Sequence, residues 1–239
     1  MHAIHSRTPR DEPPLHPLDV PVWSSLSTLH APLALAAGPA RRYPKEIGPF
    51  IALPPGEHAS AAELEALVDA QDEVFLLGQT ISAPTGWLTD YLGDLLQMHC
   101  VEPPKLDREL AIQALTEPHH KRDVRELTAL VYPHYFRSET MRLGRYFGIY
   151  ERGRLAAMIG ERMGTPAHRE LSAVCTHPEF TGRGLARHLF AWLTLDLLAK
   201  GQQPFLHVAA QNKRAIDLYE QNGFTVRIEI PFYGLRRQA

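Results

Sequence analysis

The sequence predicts an α/β protein built on a mixed sheet with helices on both sides. Three observations carry that expectation. From residue 108 onward the pattern reads strand, two helices, three strands, helix, strand, helix, strand. That order lacks the strict alternation of a doubly wound nucleotide fold. A composition of 44% hydrophobic and 22% charged residues is that of an ordinary globular chain. Finally, the glycines of Gly182-Arg183-Gly184 join a strand to the longest amphipathic segment. A length of 239 residues fits one large domain or two small ones.

In chain order, residues 1–17 are polar and proline-rich and read as a loose arm, with 11 of the 20 prolines lying before residue 56. Residues 21–35 read as a helix with Pro21 in its first turn. Residues 40–43 and 49–53 read as short strands, and 59–70 as a helix opened by a capping box of Ser60 and Glu63. Residues 74–79 are a buried strand. Residues 18–105 thus form a small α/β unit without a chemical signature. Pro103-Pro104 marks a boundary, and 106–239 is the second unit. There 109–115 reads as a strand, 120–132 and 137–144 as helices, and 145–152, 154–163 and 169–176 as strands. Arg152-Gly153 supplies the turn between the first two of these three strands. A helix over 184–200, a strand over 204–210, a helix over 213–222 and a strand over 225–230 complete the chain.

Several classes are excluded early. Lys plus Arg total 25 against 27 for Asp plus Glu, giving a net charge of -2, so no nucleic-acid partner is expected. The first twenty residues lack an apolar core for a secretory signal, and no run approaches the roughly 20 apolar residues of a membrane span. The expected location is cytoplasmic, with no membrane partner. Two cysteines build no disulfide framework, and the 13 histidines show no ligand spacing, so no metal is expected.

The most informative stretch is residues 170–190. Glycines at a helix start let the backbone aim free N–H groups at one point, where the helix dipole favours an anion such as a pyrophosphate. The third glycine of a dinucleotide fingerprint is replaced by Arg187. Thirty residues on, Asn212 is placed as an N-cap and Gly223 as a C-terminal cap, with Ala215, Leu218 and Tyr219 on one helical face.

Together, strand, GxGxA loop and helix, followed by strand and N-x-x-A-x-x-L-Y-x-x-x-G-F, resemble the GNAT superfamily of acyl-CoA-dependent N-acyltransferases. The chain looks most like the branch that includes the glycine N-acyltransferase-like proteins. The resemblance covers residues 108–239 in element order and is dense over 170–224. It implies a largely antiparallel central sheet, with the N-terminal hundred residues a degenerate half-copy of the same fold. It implies acetyl-CoA as co-substrate, an amine acceptor, and direct attack in a ternary complex. Val174 and Thr176 would offer backbone groups to the pantetheine arm. Gly182, Arg183, Gly184, Leu185, Ala186 and Arg187 would present N–H groups to the pyrophosphate. Asn212 would contact the CoA arm, and Tyr219, near the sulfur, would protonate the departing thiolate. Thr181 departs from the family's usual Gln or Arg, with Arg183 as partial compensation.

For the base, strand alternation puts Glu170, Ser172 and Val174 on one face, making Glu170 the candidate. Glu161 and bulk water are the alternatives. Cys175 reads as packing and not as a nucleophile paired with His177. The family's acceptor pocket maps to Tyr132, His134, Tyr135 and Phe136, with Tyr233. The resulting reading is an N-acetyltransferase acting on a primary amine of a small molecule or amino acid. The alternatives are a non-catalytic acyl-CoA sensor or interaction module, and the same enzyme using a longer acyl-CoA.

Overall fold

The computed structural model describes residues 15–131 and 136–238. Helix α1 (Pro21–Ser27) is shorter than expected, because Pro32 lacks an N–H and the chain breaks into a tight turn at Ala31–Leu33. Strands β1 (Leu35–Ala37), β2 (Ala40–Arg42) and β3 (Ile51–Ala52) form a small antiparallel sheet. Helix α2 (Ala61–Leu67) begins with the capping box read from the sequence. The Glu63 N–H donates to the Ser60 hydroxyl, and the Glu63 carboxylate accepts the Ser60 N–H at 2.7 Å.

The main sheet takes strands from both halves of the chain. Its members are β4 (Glu73–Leu77), β5 (Trp87–Cys100), β6 (Gln113–Ala114), β7 (Tyr146–Glu151), β8 (Arg154–Gly164), β9 (His168–Thr176), β10 (Gln203–Ala209) and β11 (Phe224–Arg237). Among the described residues it has eight strands in the order β4-β11-β5-β10-β9-β8-β7-β6. Every neighbouring pair is antiparallel except β9 with β10. Helices α3 (Pro118–Val131), α4 (Leu185–Ala199) and α5 (Lys213–Glu220) flank it. Met158 packs under α3 with Val124 and Leu127, whereas its neighbour Ile159 packs under α4 with Leu189 and Leu193. Adjacent strand residues point to opposite faces, so the two helices cover opposite sides of the sheet. Full burial of each such leucine stabilises by roughly 1.5–3 kcal/mol.

Four elements differ from the sequence reading. Strand β5 lies near the middle of the sheet between β11 and β10, although Asp90, Gly93 and Asp94 break its apolar pattern. Strand β11 continues past Pro231, whose missing N–H is accommodated next to a bulge at Phe232/Tyr233. The segment 109–115 pairs only at Gln113 and Ala114. Residues 140–143 form one tight 3-10 turn in place of a helix. The hairpin at Arg152-Gly153 has positive φ at both residues, 51° and 73°, as a two-residue turn requires.

A buried polar cluster ties residues 25–43 to β8. His30 Nδ1 lies 3.1 Å from Ser25 Oγ and 2.9 Å from the Tyr43 hydroxyl, and the Gly164 N–H donates to Ser25 Oγ at 3.2 Å. Burial, reinforced by the Arg169 guanidinium, lowers the His30 pKa to about 4. The folded state therefore holds a neutral ring. Its contribution is complete above the unfolded value near 6.5 and is lost as pH falls towards 4. Denaturant melts at pH 7 and pH 4.5 should differ, with up to about 3 kcal/mol of the loss traceable to this group. His30→Phe should flatten that slope, and an unchanged slope would assign the acid sensitivity elsewhere.

Candidate active site

Strands β9 and β10 pair in parallel over three positions, His168↔Gln203, Arg169↔Pro204 and Glu170↔Phe205. Beyond them β9 follows β8 to Thr176 while β10 follows β5 to Ala209, so the two strands part. A bulge sharpens the divergence. Between Gly160↔Ser172 and Met158↔Cys175, both Ala173 and Val174 oppose the single residue Ile159. Ala173 takes φ 52°, a left-handed conformation that costs a non-glycine residue roughly 1–2 kcal/mol. The bulge also corrects the simple alternation expected for this strand. Leu171 and Val174 both pack beneath α4, while Ala173 and Cys175 pack beneath α3.

The fork opens into a cleft of about 1330 Å³ that runs from the β9–α4 loop inward to Phe50, Leu77 and Leu95. At its outer end Gly182 and Gly184 have φ of 75° and 70°, and Gly184 caps α4 with no side-chain hydrogen bond. The first N–H of this helix to bond backwards is that of His188, to the Gly184 carbonyl at 3.0 Å. The N–H groups of Leu185, Ala186 and Arg187 therefore stand at an uncapped helix start beside the cleft. A Cβ placed on Gly182 would meet nothing within 4 Å.

The cleft gathers Val174, Thr176, the loop Gly182–Arg187, Asn212 and Tyr219 along its walls. Asn212 caps α5, its Oδ1 accepting the Ala215 N–H at 3.2 Å. Tyr219 is half-buried, its ring 4.9 Å from that of Phe190. Thr181 is turned away from an anion role, its hydroxyl donating to the Pro178 carbonyl at 3.0 Å. Arg183 pairs with Glu151, and Arg187 with Asp107 at 2.8 Å. Arg108 was not singled out by sequence. Its guanidinium donates to the Arg183 carbonyl at 2.7 Å and lies against Gly184. No local spacing connects it to the loop, so only the tertiary structure reveals it.

Glu170 is buried at the point of the fork. Arg162 donates to both of its oxygens at 2.9 and 2.6 Å, the Met163 N–H donates at 3.2 Å, and His207 Nδ1 lies at 2.7 Å. Burial alone would raise the pKa of this carboxyl, but Arg162 and His207 hold it at about 2. Burial lowers the pKa of His207 against the pull of Glu170. Gln97 presents its amide nitrogen to His207 Nε2 at 2.9 Å and accepts from Arg227 Nε at 2.6 Å. With the amide so assigned, His207 is neutral and donates from Nδ1 to Glu170. Four donors and so low a proton affinity leave Glu170 unsuited to remove a proton, contrary to the base role expected from strand position. Glu161 is also buried and is held by Arg145 at 2.8 Å.

Burial pushes the Cys175 thiol up to about 12, and His177 engages the Glu179 N–H and Arg154. The pair therefore forms no nucleophilic dyad. Among the described residues no group of three or more His, Cys, Asp or Glu gathers as for a metal ion. Among them, too, no helix is long and apolar enough to cross a membrane. Of the aromatic residues expected around an acceptor, Tyr132, His134 and Tyr135 lie outside the described residues. Phe136 packs edge-on to Tyr146 at 5.8 Å beneath α3, and Tyr233 packs on Tyr91 at 5.3 Å. It is the neighbouring Phe232 that reaches the cleft.

The sequence profile of the FR47-like protein family matches residues 146–232. A protein from Novosphingobium aromaticivorans, assigned to the GNAT family of acetyltransferases, superposes with a TM-score of 0.83 at 37% identity, covering 94% of this chain and all of its own. The chain belongs to the GNAT family. Two further GNAT structures share the fold at lower identity. A GCN5-related N-acetyltransferase from Kribbella flavida has TM-score 0.57 and 16% identity, covering 91% of this chain and 94% of its own. An acetyltransferase from Colwellia psychrerythraea has TM-score 0.54 and 13% identity, covering 92% and 94%. No curated protein sequence matches this one. GNAT acetyltransferases use acetyl-CoA, and the forked cleft with its uncapped helix start suits that co-substrate.

The charge cluster at the fork carries a stability prediction. Arg162→Ala strands a buried carboxylate and should cost about 3–5 kcal/mol in chemical denaturation. The double change Arg162→Met with Glu170→Leu removes both charges and should recover most of it. A single-variant loss below about 1 kcal/mol would show that the cluster does not hold the fork.

Proposed function

We propose that this GNAT protein moves an acetyl group from acetyl-CoA to a primary amine of a small molecule or amino acid by direct attack in a ternary complex. The observation that carries the proposal is the uncapped start of α4, which opens onto a cleft made by two parting strands. Within the family, the glycine N-acyltransferase-like branch rests on the motifs over 170–224 alone.

Acetyl-CoA supplies the thioester carbonyl that the amine attacks. The cleft-facing edge of β9 ends its pairing with β10 at Glu170, which supports the reading that Val174 and Thr176 offer main-chain groups to an extended arm as a further strand would. The loop from Gly182 to Arg187 offers its N–H groups to the pyrophosphate, Arg108 adds positive charge there, and Asn212 borders the arm. Extra backbone at the Ala173 bulge is released from the β8 ladder, which suits it to stabilise charge developing on the carbonyl oxygen. As the new C–N bond forms and the C–S bond breaks, Tyr219 donates its proton to the leaving sulfur. The amine's proton passes to water in the cleft, and the Tyr219 phenolate takes a proton back from that water. Glu170 serves as a fixed anion that orients Arg162 and His207. An α-amino group, with a pKa near 7.7–8.0, is roughly a tenth neutral at pH 7 and asks little of a base, whereas a lysine amine is neutral about once in a few thousand.

Tyr219→Phe should lower kcat by about 10²-fold or more while the KM for acetyl-CoA stays within about twofold. Equal turnover would remove Tyr219 from the acid role. Free-thiol release from acetyl-CoA, measured with pooled amino acids, small amines and peptides, should rise above the rate without acceptor. Silence in every pool, with acetyl-CoA still raising the melting temperature, would favour the sensor reading.

A further inference from the structure

We propose that the inner lobe of the cleft is the acceptor subsite, and that it takes a primary amine carried on an aromatic or branched apolar body. This rests on the transfer reading above. From Thr176 back to Leu171, β9 advances five residues, or roughly 16 Å at about 3.3 Å per residue. The phosphate loop lies beyond one end of that run. The lobe lies beyond the other, where an acceptor amine would enter past the bulge.

The lobe is walled by Phe50, by Leu77 of β4, by Leu95 of β5 and by Phe232 of β11. Ring contacts of 6.4 Å from Phe50 to Phe75 and 5.2 Å from Phe75 to Phe232 make the wall continuous. Among the described residues, the polar side chains along this part of the cleft are Arg162, His207 and the small hydroxyl of Ser172. The Arg162 guanidinium lies 5.0 Å over the Phe50 ring and its charge is met by Glu170. His207 is held neutral by the geometry given above. Among the described residues, the acidic ones lining the cleft are Asp107, which pairs with Arg187 of the phosphate loop, and Asp217 of α5.

Among the described residues such a lobe offers no carboxylate to a second ammonium group, so the desolvation of that group is poorly offset. It rewards apolar surface instead, at roughly 25 cal/mol per Å² removed from water. Polyamines and lysine-like chains are disfavoured. Amines borne by leucine-like or phenylalanine-like bodies fit. The first hundred residues thereby acquire a role that their sequence does not announce, since Phe50, Leu77 and Leu95 all come from them.

The test is thiol release from acetyl-CoA by the full chain, offered phenylalanine amide, leucine amide, glycine amide and spermidine in turn. The first two should exceed glycine amide in kcat/KM by about 10-fold or more, since even one methylene in an apolar pocket is worth about 10–200-fold. Spermidine should stay at background. Leu95→Ala and Phe232→Ala should each lower kcat/KM for leucine amide about 10-fold, with the KM and thermal shift for acetyl-CoA held within about twofold. Glycine amide or spermidine matching leucine amide overturns the inference and leaves the transfer reading standing. Should no amide react, calorimetry on the CoA-saturated protein decides. Binding of phenylalanine amide that exceeds glycine amide and weakens in Leu95→Ala supports the subsite, and no such binding overturns it. Absence of any acetyl-CoA thermal shift in the unaltered protein overturns the transfer reading, and this inference with it.

Discussion

A carboxylate at the point where two parallel strands part has to be met by positive charge and hydrogen-bond donors. Taking an unpaired carboxylate out of water carries an idealised cost on the order of 20 kcal/mol. Glu170 is met from β8 by Arg162, from β10 by His207 and from the backbone at Met163. His207 is fixed in turn by Gln97 on β5, Gln97 by Arg227 on β11, and Arg227 by Asp19 in the tight turn Pro17–Asp19. One buried anion thus organises contacts among five strands and both halves of the sequence. The fork it sits beneath is also what creates the cleft, so stability and site geometry share a cause.

The outer end of the cleft follows a different logic. Arg183 with Glu151 and Arg187 with Asp107 are exposed pairs, and pairs of that kind contribute about 0–1 kcal/mol. Opening them for a phosphate costs little, while the local positive charge remains. The main-chain N–H groups at the start of α4 need no such exchange. The anion site proposed for this loop therefore does not depend on a longer polar side chain in place of Thr181.

What was legible in the sequence is what local chemistry determines. Ser60 with Glu63, Asn212, and the glycines at 153, 182 and 184 each impose a cap or a positive φ within a few residues, and each lies where it was read. The family motifs over 170–224 are chains of such local signals. The remainder depends on partners far away in sequence. Strand β5 carries two aspartates and a glycine, so it looks like loop until β10 and β11 are set on either side of it. The extra residue at Ala173 breaks a period of two that the sequence alone has no reason to break. Glu170 looked like a reactive carboxylate because neither Arg162 nor His207 is adjacent to it in the chain. Arg108 was silent for the same reason.

The position of β5 has a consequence for how the chain is made. Its neighbours β10 and β11 begin at Gln203 and Phe224, more than a hundred residues after β5 ends at Cys100. At synthesis rates of about 5–20 residues per second, both edges of this strand wait on the order of 5–20 s for partners not yet translated. During that interval its exposed edges are open to pairing with other chains, and the charges at Asp90 and Asp94 that obscured it as a strand are the kind that discourage such pairing. The residues that made β5 hard to read are thus suited to guard it until the sheet closes.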